Sequence, residues 1–346
     1  MRVALAVLVL ALAPYVCAAA GQSLFASHEP LVLTVEGPWR HVQRAKDGES
    51  GGVLYLSRPK ADPLSVRISP RGHSRLEFCR FPPLRVEFDR EEVAQTVFAG
   101  QHRLKLVTQC TPQRASGDQL RLEYFVYRVL NLLSPRTFRV RIADITYVDS
   151  EGKRRDVVQP GFFIEDDARM AERLGLERVV VKRLDPRDID QHYLGLVTLF
   201  QFMIGNTDWS FVSGLRGSDC CHNGELLGKP GLETARIVVP YDFDQAGLID
   251  VDYAAPYPAL GISDVKQRLY RGFCSTSEYL GGIVGEFEEK RDAIFELLDA
   301  LEIGASVKRK ASRYIEGFYD IIGDPKDVDR YILRKCRGRA AAEEHS

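Results

Sequence analysis

Several catalytic signatures are missing from this chain. Its 346 residues contain no G-x-x-x-x-G-K-[ST] phosphate loop, no G-x-S-x-G elbow and no H-E-x-x-H helix. That removes P-loop nucleotide hydrolysis, α/β-hydrolase chemistry and zincin-type proteolysis. A G-x-G-x-x-G loop is absent too. The nearest cluster, Gly48-Glu49-Ser50-Gly51-Gly52, reads as an ordinary hairpin turn. An excess of one charge is also lacking, with 47 Lys and Arg against 48 Asp and Glu for a net charge of -1. No strong field points to nucleic acid or anionic lipid, and aromatic and basic residues do not interleave in one patch, so no nucleic-acid partner is expected. Repeats and low-complexity linkers are missing. Beyond the N-terminus no segment is long and apolar enough to span a bilayer.

The N-terminus supplies the first positive signal. Met1-Arg2 precedes the uncharged run 3–20, which ends in Ala18-Ala19-Ala20 before Gly21. This is the order of a secretory signal peptide, with cleavage near Ala20, and it implies an exported, periplasmic or secreted protein with no membrane insertion after cleavage. An uncleaved anchor is the alternative, and Cys17 lacks a lipoprotein box. The chain has seven cysteines. Setting Cys17 aside leaves Cys79, Cys110, Cys220, Cys221, Cys274 and Cys336, enough for three disulfides in an oxidising compartment. Cys79–Cys110 is the preferred pair because both lie in the strand-rich first third. A link from Cys220 or Cys221 to Cys274 is a further expectation. Cys220-Cys221-His222 lacks the usual spacing of zinc ligands.

The chain changes character along its length. Strands are expected at 31–35, 53–57, 64–69, 84–88, 103–109, 138–148 and 158–164, where apolar residues alternate or run together. A turn is expected at Ser150-Glu151-Gly152-Lys153. Residues 119–133 place Leu120, Leu122, Phe125, Val126, Val129, Leu130 and Leu133 at helical spacing. Helices are expected at 165–174, 187–204, 263–272, 277–302 and 306–321. The division that follows is a signal peptide at 1–20, a β-rich N-lobe with one inserted helix at 21–165, a helical C-lobe at 166–337 and a disordered tail at 338–346. This α+β order matches a two-lobed protein-kinase-like fold.

Two acidic motifs carry the chemistry, Gly205-Asn206-Thr207-Asp208-Trp209-Ser210 and Pro240-Tyr241-Asp242-Phe243-Asp244. Each places a carboxylate where an apolar segment ends. ATP-dependent phosphoryl transfer needs two such groups, one to orient the attacking hydroxyl and one to hold the metal that bridges the phosphates. Together with Arg71-Gly72-His73-Ser74-Arg75, Leu104-Lys105-Leu106-Val107-Thr108, Phe162-Phe163-Ile164-Glu165-Asp166 and His222-Asn223, they give a segment from about 65 to 275 that resembles the CotH kinase-like family, in its exported bacterial branch, and more distantly HipA-type kinases.

The resemblance implies an exported atypical kinase that uses ATP and Mg2+ to phosphorylate a hydroxyl of a protein or small molecule. Asp208 is then the catalytic aspartate. Asn223, Asp242 and Asp244 form the metal site. Lys105 pairs with the α/β-phosphates and Glu123 orients it. Backbone near Glu165 meets adenine, and Arg71 to Arg75 form a phosphate-facing turn. The chain departs from the common pattern in one place. Five residues after Asp208 stands Ser213, and the nearest asparagine, Asn223, follows the insert 214–221. Each residue also has a structural alternative. Asn206 and Asp208 suit a turn. Asp242 and Asp244 flank Phe243 and would share a solvated face. Lys105 suits an exposed strand position, and Glu123 a helix start. The competing function is a catalytically inactive kinase-like fold acting as an envelope or secreted binding module.

Overall fold

The computed structural model describes residues 23–45, 47–56 and 62–338. The signal segment and the tail from residue 339 lie outside the described residues. In chain order the strands are β1 (Leu31–Gly37), β2 (Ser50–Leu56), β3 (Leu64–Pro70), β4 (Leu84–Phe88), β5 (Arg103–Thr108), β6 (Val140–Asp149), β7 (Val157–Ile164), β8 (Glu177–Arg178), β9 (Gly224–Gly228) and β10 (Ile237–Pro240). The helices are α1 (Trp39–Arg44), α2 (Arg75–Phe78), α3 (Arg114–Leu133), α4 (Asp167–Leu174), α5 (Gln191–Ile204), α6 (Leu280–Glu289), α7 (Arg291–Asp299), α8 (Ala305–Gly323) and α9 (Pro325–Tyr331).

Alternation builds the first half of the chain. In β3 the buried residues are Leu64, Val66 and Ile68, and in β4 they are Leu84, Val86 and Phe88. A period of two sends these side chains to one face, and the register pairs Val66 with Phe88 and Ile68 with Val86. The first seven strands close into a barrel in the order β1-β2-β3-β4-β5-β7-β6. Neighbours are antiparallel except at the seam, where β1 runs parallel to β6 from Leu31↔Ala143 to Gly37↔Asp149. Closure leaves no open edge in this sheet. The interior is filled by Leu33, Ile68, Leu104, Ile145 and the aromatics Phe88, Phe98 and Phe163. Phe98 stacks on Phe88 at 4.7 Å and meets Phe163 edge-on at 5.7 Å.

The expected two-lobed, protein-kinase-like fold does not form. The β-rich part is a closed seven-stranded barrel, not an open sheet facing a helical lobe across a hinge. Its outer face is also joined to the helices by one apolar core. Val107, Val140, Phe162 and Ile164 from the barrel pack in the same cluster as α3, α5 and the helices beyond. Adjacent Phe162 and Phe163 are both fully buried, one outside the barrel and one inside. The parallel seam between β1 and β6 decides this outcome. It joins strands about a hundred residues apart, and no local pattern announces such a pairing.

Other expectations are corrected in detail. Residues 263–272 form no helix. Arg268 there donates to the Met203 carbonyl and lies 3.8 Å from the Tyr314 ring centre, so the segment is held by tertiary bonds. The helix expected at 277–302 is a 3-10 turn (Cys274–Tyr279) followed by α6 and α7, with a break at Lys290. The two halves pack on different neighbours, α6 on α5 and α7 on α3. A second sheet, β10-β9-β8, stands in the region expected to be helical. Its strands are too short to show a period. Gly51 and Gly52 lie within β2 rather than in a turn, paired with Arg67 and Val66. A Cβ on Gly52 would stand 2.8 Å from Ile68 Cδ1 and 2.9 Å from the Glu36 carbonyl, which explains the glycine.

The six cysteines pair as Cys79–Cys110, Cys274–Cys336 and Cys220–Cys221. The first is the expected bond. The expected link from Cys220 or Cys221 to Cys274 does not form: Cys274 pairs with Cys336, and Cys220 with its neighbour Cys221. Cys79–Cys110 spans 31 residues and ties the β3–β4 connection to the end of β5. Closing a loop of that length stabilises by about 3–4 kcal/mol in the chain-entropy view. Replacing both cysteines by serine should lower the unfolding free energy in non-reducing denaturant titrations by that order. An unchanged midpoint, or two free thiols at these positions in the wild-type protein, would contradict the bond.

Candidate functional site

Three connections bring the acidic motifs together. The first is the β3–β4 connection. Arg71 N–H donates to the Pro83 carbonyl, and the single turn of α2 then directs Arg75 inward. Arg75 is buried, at 8% exposure. Its Nε donates to Asp244 Oδ2 at 2.7 Å, and its Nη2 donates to Glu123 Oε1 at 2.7 Å and lies 3.4 Å from Asp242 Oδ1. Burial opposes its charge, but Asp244 and Glu123 hold its pKa well above the ordinary arginine value. Tyr253 Oη donates to the same oxygen of Asp244 at 2.8 Å. Arg75 is therefore a cationic knot between the barrel, α3 and the segment after β10. It is not free to face a phosphate, contrary to the expected turn.

The second connection follows α5. Gly205 caps the helix in the left-handed region, at φ 66°, and a Cβ there would stand 1.9 Å from Tyr314 Oη. Asn206 then makes the turn. Its Oδ1 accepts from Asp208 N–H at 2.9 Å, and its carbonyl accepts from Trp209 Nε1 at 3.0 Å. The turn presents Asp208 with three side-chain partners. His222 Nε2 lies 2.8 Å from Oδ1, while Asn223 Nδ2 and Gln245 Nε2 donate to Oδ2 at 3.0 and 2.8 Å. The insert 214–221 returns to this point through backbone bonds in both directions between Ser210 and His222. A carboxylate gripped by two amides is fixed in its rotamer, and about a third of its side chain stays open.

The third connection is the Asp242 segment. β10 ends at Pro240, and Asp242 takes φ 58°, a left-handed conformation uncommon outside glycine. Its N–H donates to Tyr127 Oη at 3.0 Å. Phe243 is fully buried, 4.7 Å from the Tyr127 ring and 5.5 Å from Phe200. The turn separates the two carboxylates expected to share a face. Asp242 keeps 48% of its side chain exposed and Asp244 keeps 6%. Burial of the surrounding cleft and then the Asp244 charge raise the Asp242 carboxyl; Arg75 and Arg71 oppose the shift, and Asp208 adds to it.

The remaining expected residues part company. Lys105 pairs with Asp167, at the start of α4, and not with Glu123. Its Nζ lies 5.0 Å from the Phe138 ring centre and 5.2 Å from that of Tyr241. Burial lowers its pKa, with Asp167 opposing and Arg71 adding. Glu123 is claimed by Arg75. Glu165 is buried and receives both Arg173 Nε and Nη2, at 2.9 and 2.8 Å, with Arg139 N–H at 3.2 Å, so its side chain holds the chain after β7 together. The expected trio Asn223, Asp242 and Asp244 does not converge. Asn223 turns to Asp208, and Asp244 is held by Arg75 and Tyr253. Among the described residues no group of three or more His, Cys, Asp or Glu side chains forms a metal cage.

Gln245, Tyr127, Tyr253 and Asp167 belong to the site, and the sequence reading did not identify them. Gln245 directly follows the second motif, so adjacency was a usable signal. The other three are assigned by packing alone. No family model, curated protein or solved structure matches the chain.

The Glu123–Arg75 contact makes a pH prediction. Burial raises the Glu123 carboxyl to about 7; Arg75 opposes the shift and Asp244 adds to it. Between the ordinary value of 4.5 and about 7 the folded protein holds a proton that the unfolded chain has released. Stability contributed by that proton is lost as pH rises through this window. Glu123→Gln keeps an acceptor for Arg75 and removes the titration. From about pH 4 to about pH 8 the variant should gain on wild type by on the order of 3 kcal/mol in urea unfolding. A difference that stays flat with pH would refute the raised carboxyl.

Proposed function

We propose that the protein is a phosphotransferase that moves the γ-phosphoryl group of ATP to a hydroxyl of a protein or small molecule, assisted by Mg2+, outside the reducing cytoplasm. The observation that carries this reading is the fixed Asp208 carboxylate beside a half-open Asp242, with Arg71 and Lys105 close enough to act on the same cleft electrostatically. The ordered motifs by which the sequence resembles the CotH kinase-like family favour the same chemistry. Three disulfides support the compartment.

The side chains divide the work. Asp208 accepts a hydrogen bond from the acceptor hydroxyl and aims its oxygen; His222, Asn223 and Gln245 prevent its rotation. Arg71 and Lys105 supply positive charge for the phosphates, and Asp167 keeps Lys105 charged against its burial. Asp242 would supply the protein's oxygen ligand to Mg2+, an ion for which one carboxylate can serve as the protein anchor. When bound, the metal neutralises charge on the β- and γ-phosphates. Arg75 holds Asp244 at 2.7 Å and reaches Asp242 at 3.4 Å, and so fixes the segment that carries both. Catalysis of this kind comes from positioning and fixed charge.

A second reading, a binding module without transfer activity, is favoured by one observation. Asn223 and Asp244, two of the three expected metal ligands, are engaged elsewhere. Calorimetry with ATP and Mg2+ separates the two. The transferase reading expects magnesium-dependent nucleotide binding by the full chain and incorporation of labelled γ-phosphate. Asp242→Asn should lose the magnesium dependence. Asp208→Asn should keep nucleotide binding and lose transfer by about 10²- to 10⁴-fold. If wild type binds no nucleotide, or if both variants transfer normally, the transferase reading fails.

A further inference from the structure

A cavity of about 660 Å³ adjoins the acidic centre. Arg75 and Glu123 line both this cavity and the cleft that holds Asp242 and Lys105, but Asp208, Asp242 and Lys105 do not line the cavity itself. Its volume falls in the range of small-ligand sites. Four parts of the chain build it. α2 supplies Phe78, the end of β5 supplies Val107, α3 supplies Leu120 and Glu123, and the segment after β10 supplies Asp244. The Cys79–Cys110 bond ties the residue after Phe78 to the end of β5, so the mouth is held in place.

The floor is charged and incompletely paired. Arg75, Glu123 and Asp244 are 8%, 4% and 4% exposed. Arg75 engages one oxygen of each carboxylate, Glu123 Oε1 and Asp244 Oδ2, and Tyr253 Oη donates to the latter as well. Burial raises the Tyr253 hydroxyl, which keeps it a donor there. Glu123 Oε2 and Asp244 Oδ1 accept no hydrogen bond among the described residues. Unlike the enclosed, unpaired oxygens of Gln101, Asp149 and Gln201, these two keep an open surface. The carboxylates meet neighbouring nitrogens of one guanidinium, Nε and Nη2, so they stand side by side. Exposed Asp252 adds a third carboxylate, against Arg75 as the one basic residue on the wall. A sheltered surplus of negative charge is costly until a cation meets it.

The mouth is aromatic. Phe78 is 55% exposed and stacks on Tyr253, with ring centres 5.5 Å apart and planes 3° from parallel. Leu120 and Val251, both buried, continue the apolar wall inward. The cavity thus joins two open carboxylate oxygens at its floor to an aromatic pair at its entrance.

We infer that this cavity binds a primary amine with an aromatic body. Its ammonium donates to Glu123 Oε2 and Asp244 Oδ1, and its ring packs on Phe78 and the apolar wall. This binding is independent of phosphoryl transfer, because Asp208 takes no part in it.

Titration calorimetry of the full chain at about pH 8, where the Glu123 carboxyl is mostly ionised, tests this with 2-phenylethylamine as the probe. Saturable one-site binding is the expected result. 2-Phenylethanol lacks the charge and propylamine lacks the ring; each should bind at least about tenfold more weakly. Phe78→Ala removes an exposed ring, so the thermal midpoint should hold while affinity falls about three- to tenfold. Glu123→Gln keeps an acceptor for Arg75 and loses the charged one for the amine, which should weaken the probe about tenfold. Asp208→Asn should leave the probe's affinity unchanged. No saturation at millimolar probe, equal binding of 2-phenylethanol, or unchanged affinity in both Phe78→Ala and Glu123→Gln would overturn the inference. Loss of binding in Asp208→Asn would overturn it too, since the probe would then sit in the other cleft.

Discussion

The position of Arg75 underlies the geometry of the whole acidic centre. One buried guanidinium reaches Glu123 on α3, Asp244 after β10 and, at longer range, Asp242. These groups come from three separated parts of the chain, and without the cation between them their carboxylates would repel. Removing one partner of such a buried set is costly, typically about 3–5 kcal/mol, because the others stay buried and unpaired. The arginine itself is placed by a single helical turn whose far end is pinned by Cys79–Cys110. The disulfide, the turn and the ion cluster therefore act as one mechanical unit.

That unit explains the division of labour between the two carboxylates around Phe243. Phe243 is anchored by rings on both sides, so the backbone around it has little freedom. Asp244 points down to Arg75 and Tyr253. Asp242, turned by its left-handed backbone, points to the cleft with only weak neutralisation. A carboxylate that is open, near a like charge and incompletely paired is suited to receive a cation. Asp208, by contrast, is held by two amides at Oδ2 and an imidazole at Oδ1, which leaves Oδ1 one further acceptor site to aim at a small polar group.

Much of the local structure was legible in the sequence. The barrel strands were readable because a half-buried strand must alternate, as Leu64, Val66 and Ile68 do. The long α3 was readable because its apolar residues recur at helical spacing. Gly205 and Asn206 announced a helix end and turn, and that turn holds Asp208 through its N–H to Asn206 Oδ1. The short strands β8 to β10 were not readable, since two to five residues carry no period. The segment 263–272 was expected to be helical, yet Arg268 spends its charge on backbone carbonyls and a tyrosine ring.

Sequence by itself determined the seven barrel strands, the long α3 and which carboxylates follow apolar runs, because these depend on spacing of a few residues. It also singled out Cys79 and Cys110 as partners, from their shared place in the strand-rich third. Only the tertiary structure decided that the strands close into a barrel, since the β1–β6 seam joins residues far apart in the chain. Likewise it decided that Glu123 goes to Arg75, that Lys105 goes to Asp167 and that Asn223 goes to Asp208. A charged side chain pairs with whatever opposite charge or donor the fold brings within about 3 Å in a place sheltered from water, and that distance is not written in any local pattern.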